Sequence, residues 1–166
     1  GLITGMLFFI AGSVKERYHT LEIKRLGGLL VSAPRMGWVF GLITMASLGL
    51  PGLAGFWGEF PAILSAYDPA PGLSEEIFRV YMVVAAIGTV LAAGYLLWLY
   101  QRVAFGTPKE EFADADIPDT TGPEWIAWLP LVVLALVIGI FPNIVFRVSD
   151  GQMTSVAQAL ASAVGG

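Results

Sequence analysis

Long apolar stretches separated by charged segments dominate the chain. They occupy positions 1–14, 36–67, 80–100 and 125–146. The last two stretches each hold about 20 uncharged residues, enough for a helix to cross a hydrocarbon core about 30 Å thick. Aromatic residues near their ends, such as Tyr100 and Trp125, are typical of the headgroup region of a membrane. We predict transmembrane helices at 77–103 and 123–146.

The first stretch is too short for one straight transmembrane helix, and the second is too long. Positions 1–14 are too few to cross the core, so we expect a truncated helix at 1–18 and further protein upstream. Positions 36–67 would make a straight helix of about 48 Å, whereas two spans with a turn need more than about 40 residues. The segment Gly49-Leu50-Pro51-Gly52 offers a break, because proline lacks an amide donor and glycine permits non-helical angles. We therefore predict one discontinuous helix at 35–67, inside a helix bundle that satisfies its irregular backbone.

These elements predict an all-α fold: a polytopic transmembrane helix bundle with one discontinuous helix, broken at Gly-Leu-Pro-Gly. We assign positions 1–147 to this membrane domain. In the remaining tail, 148–166, apolar residues recur at helical spacing among Ser, Thr and Gln; they are Met153, Val156, Leu160 and Val164. We expect this tail to form a short amphipathic helix at the surface.

Basic residues are distributed unevenly between the two sides of the predicted bundle. If each stretch crosses the membrane once, the loops 15–35 and 103–122 lie on the same side. That side, with Arg102 at the helix end, holds seven of the nine Lys and Arg residues. Because cytoplasmic loops carry an excess of Lys and Arg, we predict that both loops are cytoplasmic.

The composition excludes several classes of function. Hydrophobic residues make up 56% of the 166 residues and charged residues 13%, against about 45–50% and about 25% in soluble domains. With no cysteine and one histidine, the chain lacks the ligands for a zinc site of its own. The net charge of −4 argues against a nucleic-acid surface. We find no phosphate loop, Rossmann fingerprint or flavin motif, and expect neither cofactor nor metal in this chain.

Glu59 is the only acidic residue within the apolar stretches and the leading candidate for a functional side chain. It lies nine residues before Asp68, so about 13 Å from the end of its helix and close to the middle of the bilayer. An ionisable group there costs at least about 2.5–3.5 kcal/mol and usually marks an ion or proton path. Backbone groups freed by the break can hold water or present helix-end dipoles beside it. The residues expected to line this path are Gly49, Pro51, Gly52, Gly55 and Gly58. The alternative is a neutral, hydrogen-bonded Glu59 that only packs.

Other charged residues have simpler interpretations. The basic residues of the first loop are topology determinants in solvent, with docking of another subunit as the less favoured alternative; they are Lys15, Arg17, Lys24, Arg25 and Arg35. Two residues remain secondary site candidates. His19 is more simply an interfacial residue or a partner of a helix C-terminus than a proton carrier. Arg102 closes a span and is expected to extend its guanidinium to the interface.

Several sequence blocks together resemble one known family. They are Phe8-Phe9-Ile10-Ala11-Gly12-Ser13-Val14, Glu16-Arg17-Tyr18-His19-Thr20, Leu26-Gly27-Gly28-Leu29, Met45-Ala46-Ser47-Leu48-Gly49-Leu50-Pro51-Gly52, Gly55-Phe56-Trp57-Gly58-Glu59-Phe60, Arg102…Phe105-Gly106 and Gly139…Phe141-Pro142. The chain resembles the C-terminal part of the antiporter-like membrane subunits of respiratory complex I, in particular the M type of bacterial NADH-quinone oxidoreductases.

The resemblance implies a proton-translocating subunit in which these are the last four of fourteen transmembrane helices. It implies that Glu59 is the terminal channel carboxylate and exchanges protons with the side opposite the cytoplasm. Its partners would be other membrane and peripheral subunits in a bacterial plasma membrane, and flavin, iron–sulfur clusters and quinone would lie in those subunits. Pro61 departs from the family pattern and predicts a looser turn after Glu59.

Two rival functions stay open at this point. One is a subunit of a Mrp-type cation/proton antiporter or a membrane-bound hydrogenase, which are built from the same module. The other is an assembly scaffold in which Glu59 transfers no proton.

Overall fold

Helices account for the regular structure in the residues that the computed structural model describes, 1–69 and 72–164. The α-helices are α1 (Leu2–Tyr18), α2 (Leu29–Ser32), α3 (Pro34–Ser47), α4 (Ala54–Ser65), α5 (Glu75–Ala104), α6 (Gly122–Ile140) and α7 (Asn143–Val164). A single 3-10 turn, Glu110–Phe112, lies between α5 and α6. No strand occurs within these described residues, and the predicted all-α class is confirmed.

Helices α5 and α6 have the length and composition of membrane spans. Their 30 and 19 residues correspond to about 45 Å and about 28 Å, against a hydrocarbon core of about 30 Å. Their most apolar windows have mean hydropathies of 2.1 and 2.0. Much of the apolar surface of α5 is uncovered, including Val84, Val90 and Leu91. In a membrane, lipid chains would cover such a surface.

The predicted discontinuous helix is present as α3 and α4, with the break at residues 48–53. Gly49 has φ of 68° and Gly52 has φ of 88°, values that residues with a Cβ rarely adopt. Helix α4 continues through Pro61 to Ser65, so the break does not extend to Pro61. Proline removes one amide donor from the helix, and the looser turn expected after Glu59 stays a prediction.

Helix α6 packs directly on the break. A Cβ added to Gly139 would lie 2.2 Å from the carbonyl oxygen of Gly52 and 2.5 Å from the Cα of Leu53. Trp57, in the first half of α4, donates a hydrogen bond of 2.8 Å from its indole Nε1 to the carbonyl oxygen of Gly139. Protein therefore covers the side of the irregular backbone that faces α6, whereas Leu50, Pro51 and Gly52 are exposed in the described residues.

The fourth span and the tail have different boundaries from those predicted. Helix α6 ends at Ile140 rather than at 146, and α7 starts at Asn143 rather than within a tail beginning at 148. The cause is Pro142, which cannot donate an amide hydrogen bond and disfavours helical angles in the residue before it. Its carbonyl oxygen accepts from the amides of Val145 and Phe146 in the first turn of α7. Residues 165 and 166 of the predicted tail lie outside the described residues.

The core is built from α1, α3, α5 and α6. It lies at the end of the bundle that carries the two long loops, 19–28 and 105–121. Its largest fully buried side chains include Met6 of α1, Met36 and Ile43 of α3, and Trp128 of α6. Tyr100 of α5 meets Phe40 edge to face, with ring centroids 5.3 Å apart. This packing fixes α1 against both α3 and α6.

The two long loops, 19–28 and 105–121, pack against each other at this end. The amide of Gly28 donates to the carbonyl oxygen of Phe105 at 3.0 Å, and Arg25 forms an ion pair with Glu111. Gly28 has φ of 68°, and a Cβ there would lie 2.4 Å from the backbone nitrogen of Pro108. Both the conformation and the close approach therefore require glycine.

Arg17 joins α1 to the start of α6. Its guanidinium donates all five N–H groups: Nε to the carbonyl of Pro118, Nη1 to the carbonyl of Ser13 and to Glu124, and Nη2 to the carbonyl of Asp119 and to Glu124. The Arg17 side chain is only 6% exposed and that of Glu124 is 17% exposed. The expectation of a solvated Arg17 is therefore wrong. A buried guanidinium with every donor satisfied is a structural anchor.

Asp119 supplies the cap that α3 cannot supply for itself. The residue before the helix, Ala33, has no side-chain oxygen, and Asp119 accepts from the amides of Arg35 at 3.0 Å and Met36 at 3.2 Å. Partial burial by itself raises the pKa of Asp119, but these bonds and those from the amide and hydroxyl of Thr120 outweigh it and lower the pKa. The carboxylate therefore stabilises the fold in its ionised form.

We expect Gly139→Ala to destabilise the full-length protein by about 1–3 kcal/mol, because the added methyl group collides with the backbone of the break. The thermal unfolding midpoint of the purified protein measures the change. Gly88→Ala is the matched control, since a Cβ at Gly88 of α5 meets no atom within 4 Å. Equal midpoints for the two variants would contradict the close packing of α6 on the break.

We expect Glu124→Gln to cost about 2–3 kcal/mol, because it leaves the buried Arg17 without its counter-charge. Arg17→Gln should cost a similar amount, and the double variant should lose clearly less than the sum of the two. Thermal unfolding of all three variants measures this coupling. Strictly additive losses would show that the pair does not interact.

Asp119→Ala should cost about 1 kcal/mol at neutral pH, the usual effect of losing a helix cap. Because its pKa is lowered in the folded state, the contribution of Asp119 is complete above its unfolded value and is lost as the pH falls through the folded value. Unfolding midpoints at several acidic pH values should therefore converge for the wild type and the variant. Asp116→Ala, an exposed acid in the same loop, is the control, and a constant difference at every pH would contradict the role of Asp119.

Candidate functional site

Glu59 lies in the middle of α4 and is exposed at the surface of the described residues. It borders a cleft of about 350 Å³ between the start of α1 and the two halves of the discontinuous helix. The cleft is lined by Gly1, Leu2, Ile3, Thr4, Ala46, Ser47, Ala54, Gly55 and Glu59. Its polar groups are therefore the Glu59 carboxylate, the hydroxyls of Thr4 and Ser47, and backbone groups at the helix ends.

The side chain of Glu59 reaches back to the break. Side chains on a helix lean towards its N-terminus, and the Glu59 carboxylate accordingly lies against the backbone of Gly49. A Cβ at Gly49 would be 2.7 Å from Oε2 of Glu59. Gly49 thus serves two purposes, since it adopts a positive φ and leaves room for the carboxylate.

Gly55 allows the two halves of the discontinuous helix to meet. A Cβ at Gly55 would lie 2.0 Å from the carbonyl oxygen of Ala46, which belongs to the last turn of α3. That carbonyl also accepts from the amide of Gly49 at 3.3 Å. The first turn of α4 therefore rests on the end of α3, and this contact forms one wall of the cleft.

The other predicted residues of the break lie outside this cleft. Gly52 faces Gly139 of α6, Pro51 is exposed, and a Cβ at Gly58 would meet no atom within 4 Å. The structure thus brings Gly49 and Gly55 to Glu59. Gly52 instead joins the break to α6.

The two secondary candidates, His19 and Arg102, lie at the opposite end of the bundle. His19 is the C-cap of α1 with φ of 51°, and its amide donates to the carbonyl of Lys15. Arg102 stacks over the ring of Trp98, with its Cζ 5.3 Å from the ring centroid. The thirteen residues of α1 from Thr4 to Arg17 span about 20 Å. Neither candidate therefore reaches the Glu59 cleft.

The chemistry available at the cleft is proton exchange by a single carboxylate. Within residues 1–69 and 72–164, none of the ion pairs involves Glu59. In the same part of the chain, no group of three His, Cys, Asp or Glu side chains could hold a metal ion. A carboxylate beside water-accessible backbone can accept and release protons.

The structural roles of two residues, Glu124 and Gly139, were not identified from the sequence. Glu124 could have been found from Thr121-Gly122-Pro123-Glu124, since Thr followed three residues later by Glu just before an apolar run is a capping box. The structure shows that box at the start of α6. Nothing in the sequence pairs Glu124 with Arg17 or Gly139 with Gly52, because these contacts join distant positions.

Known proteins match both the sequence and the structure of this chain. A family model described as "NADH:quinone oxidoreductase/Mrp antiporter, TM" matches residues 1–84. The chain is 37% identical to NADH-quinone oxidoreductase subunit M of Rhodobacter capsulatus over 145 residues, covering 87% of the chain and 27% of that protein. It is 34% identical to NADH-quinone oxidoreductase subunit 13 of Thermus thermophilus over 166 residues, covering 100% of the chain and 32% of that protein.

Two solved structures share the fold. A chain of respiratory complex I from Thermus thermophilus with bound NADH matches with a TM-score of 0.78 and 33% identity, over 99% of this chain and 32% of that one. A chain of the Mrp complex from a Dietzia species matches with a TM-score of 0.68 and 20% identity, over 87% of this chain and 33% of that one. The second match shows similarity of fold alone.

The chain spans about a third of the length of the relatives that it matches. Its two long apolar helices and the membrane subunits among its relatives together show that it is embedded in a membrane. The resemblance inferred from the sequence is confirmed by the family model and by both relatives. The chain belongs to the NADH:quinone oxidoreductase/Mrp antiporter transmembrane family.

Proposed function

We propose that this chain is part of a proton-translocating membrane subunit of an NADH:quinone oxidoreductase, and that Glu59 carries protons in it. The observation that carries this proposal is the position of the Glu59 carboxylate, directly against the backbone of the broken helix at Gly49. The names of relatives with 33–37% identity, all membrane subunits of NADH-quinone oxidoreductases or related complexes, support the same function.

The helix break gives Glu59 the surroundings that a proton carrier needs. An ionised carboxylate in lipid costs at least about 2.5–3.5 kcal/mol, so its charge must be matched by water, dipoles or a cation when the proton leaves. The cleft supplies the polar side chains of Thr4 and Ser47 and the first turn of α4 at Ala54 and Gly55, which is the positive end of that helix dipole. A cation from the remainder of the subunit would bias Glu59 towards its ionised form, and withdrawal of that cation would favour proton uptake.

In this proposal electron transfer takes place elsewhere in the complex. The chain binds no cofactor; flavin, iron–sulfur clusters and quinone belong to other membrane and peripheral subunits. The solved structures that match it are whole multi-subunit complexes, which supports this division. The chain would thus be a non-redox subunit that couples a distant reaction to proton transport.

We place the subunit in a bacterial plasma membrane, with loops 15–35 and 103–122 in the cytoplasm. The contacts between Gly28 and Phe105 and between Arg25 and Glu111 bring both loops to one end of the bundle, which fits a shared side. Residues 1–147 would then form the C-terminal part of the antiporter-like domain, with membrane crossings formed by α1, by α3 and α4 together, by α5 and by α6. The Glu59 cleft lies towards the opposite side and would serve as an exit for protons.

Two alternatives are separable by experiment. The match to a Mrp complex keeps open an antiporter or membrane-bound hydrogenase subunit, but co-purification with flavin and iron–sulfur subunits would favour the oxidoreductase. In a scaffold, Glu59 would only pack. Under that alternative Glu59→Gln leaves proton transport intact, and Glu59→Leu disrupts assembly.

We expect Glu59→Gln to lower proton transport through this subunit at least about tenfold, as removal of a proton-transferring group commonly does. Glu59→Asp should retain part of the activity, because it keeps a titratable group. The measurement is the number of protons pumped per NADH by the full-length subunit in its complex, reconstituted in vesicles. Glu76→Gln, an exposed acid at the start of α5, is the control. Unchanged pumping in both Glu59 variants would overturn the carrier role.

A further inference from the structure

An apolar groove runs along the outside of the bundle between α1, α3 and α5. It encloses about 350 Å³ and is lined mainly by Leu7, Ala11, Val14, Phe40, Leu99 and Val103. Along α1 it extends from Thr4 to Val14, which is about 15 Å at 1.5 Å per residue. This length is about half of a hydrocarbon core 30 Å thick, so the groove spans one leaflet.

A group of cations surrounds the loop end of this groove. Lys24, Arg102 and Lys109 border a second cavity of about 200 Å³, together with Trp98. Ile23 and Leu26 line both cavities, so the two cavities adjoin each other. Trp98 lies under the guanidinium of Arg102, the position that an indole commonly takes at a membrane interface.

The three cations of this group form no ion pair within the described residues. In the described residues the ion pairs join Arg17 with Glu124, Arg25 with Glu111, and Arg79 with Glu75. Lys24, Arg102 and Lys109 are in none of these pairs, and all three are exposed. Glu111 is paired with Arg25, and the neighbouring acids Glu22 and Glu110 form no ion pair with these three cations in the described residues.

We propose that the groove and the cations form one binding site for an anionic phospholipid. The phosphate lies among Lys24, Arg102 and Lys109, and one acyl chain occupies the groove between α1, α3 and α5. Charge complementarity selects an anionic headgroup, since a basic pocket between helix ends attracts phosphate. The groove is as long as one leaflet and apolar, so it fits an acyl chain, which free phosphate lacks. The bound lipid would join the loop ends of α1 and α5, which border the site from two sides.

The test uses the full-length protein in its complex, purified in detergent and stripped of lipid. Long-chain phosphatidylglycerol, phosphatidylcholine and glycerol 3-phosphate are added separately, and bound lipid is counted by native mass spectrometry. Phosphatidylglycerol should bind at least about tenfold more tightly than phosphatidylcholine, given the attraction of about 1 kcal/mol per basic residue near an anionic surface. Glycerol 3-phosphate, which lacks the acyl chains, should bind weakly and displace little phosphatidylglycerol.

The charge variant K24Q/R102Q/K109Q should bind phosphatidylglycerol no better than phosphatidylcholine. The matched control, K15Q/R35Q/R147Q, removes the same charge outside the site and should keep the preference. Equal losses in both variants would show non-specific attraction of lipid to a basic surface and would overturn the proposal. Equal binding of the two lipids by the wild type would overturn it as well.

A second pair of variants tests the groove independently of charge. Ala11→Phe places a ring in the groove and should weaken binding of long-chain phosphatidylglycerol. Gly12→Phe places the same ring on the neighbouring position of α1, where a Cβ meets no atom within 4 Å, and should leave binding unchanged. If Ala11→Phe binds as the wild type does, or if glycerol 3-phosphate displaces the lipid fully, the acyl-chain half of the proposal is wrong.

Discussion

Backbone amides and carbonyls at membrane depth must find partners within the protein, because lipid offers none. In this chain the constraint applies most strongly at residues 48–53, where the helix is broken. Helix α6 covers one side of the break through the contact of Gly139 with Gly52, and the indole of Trp57 in α4 donates to the carbonyl oxygen of Gly139. Packing of α6 on α4 thus shields one side of this six-residue break.

Function, in the form proposed above, depends on the same shielding. A straight helix would surround Glu59 with apolar side chains, whereas the break places Gly49 and the end of α3 beside its carboxylate. The side of the break towards α6 is closed by packing, and the side towards the start of α1 is open as a cleft. The side of the break towards α6 thus stabilises the fold, and the side towards α1 borders the proposed proton-carrying site.

Local signals in the sequence were enough for the helices, the break and the family. Proline and glycine act on their own neighbours, so the pattern Gly-Leu-Pro-Gly located the end of α3, yet the same effect at Pro142 was overlooked within an apolar run. The role of Arg17 could not be inferred, because its partners lie about a hundred residues later in the chain. The composition of a loop does not reveal which of its charges a tertiary contact will bury.

The anchor at Arg17 also constrains the order in which the protein can be made. Its donors reach Pro118, Asp119 and Glu124, so the interaction closes a loop of more than a hundred residues. A nascent chain emerges from its N-terminus, and Arg17 therefore stays without these acceptors until α3, α4 and α5 have been inserted and α6 begins to appear. Insertion of α6 completes the Arg17 anchor at one end of this helix and covers the helix break at the other.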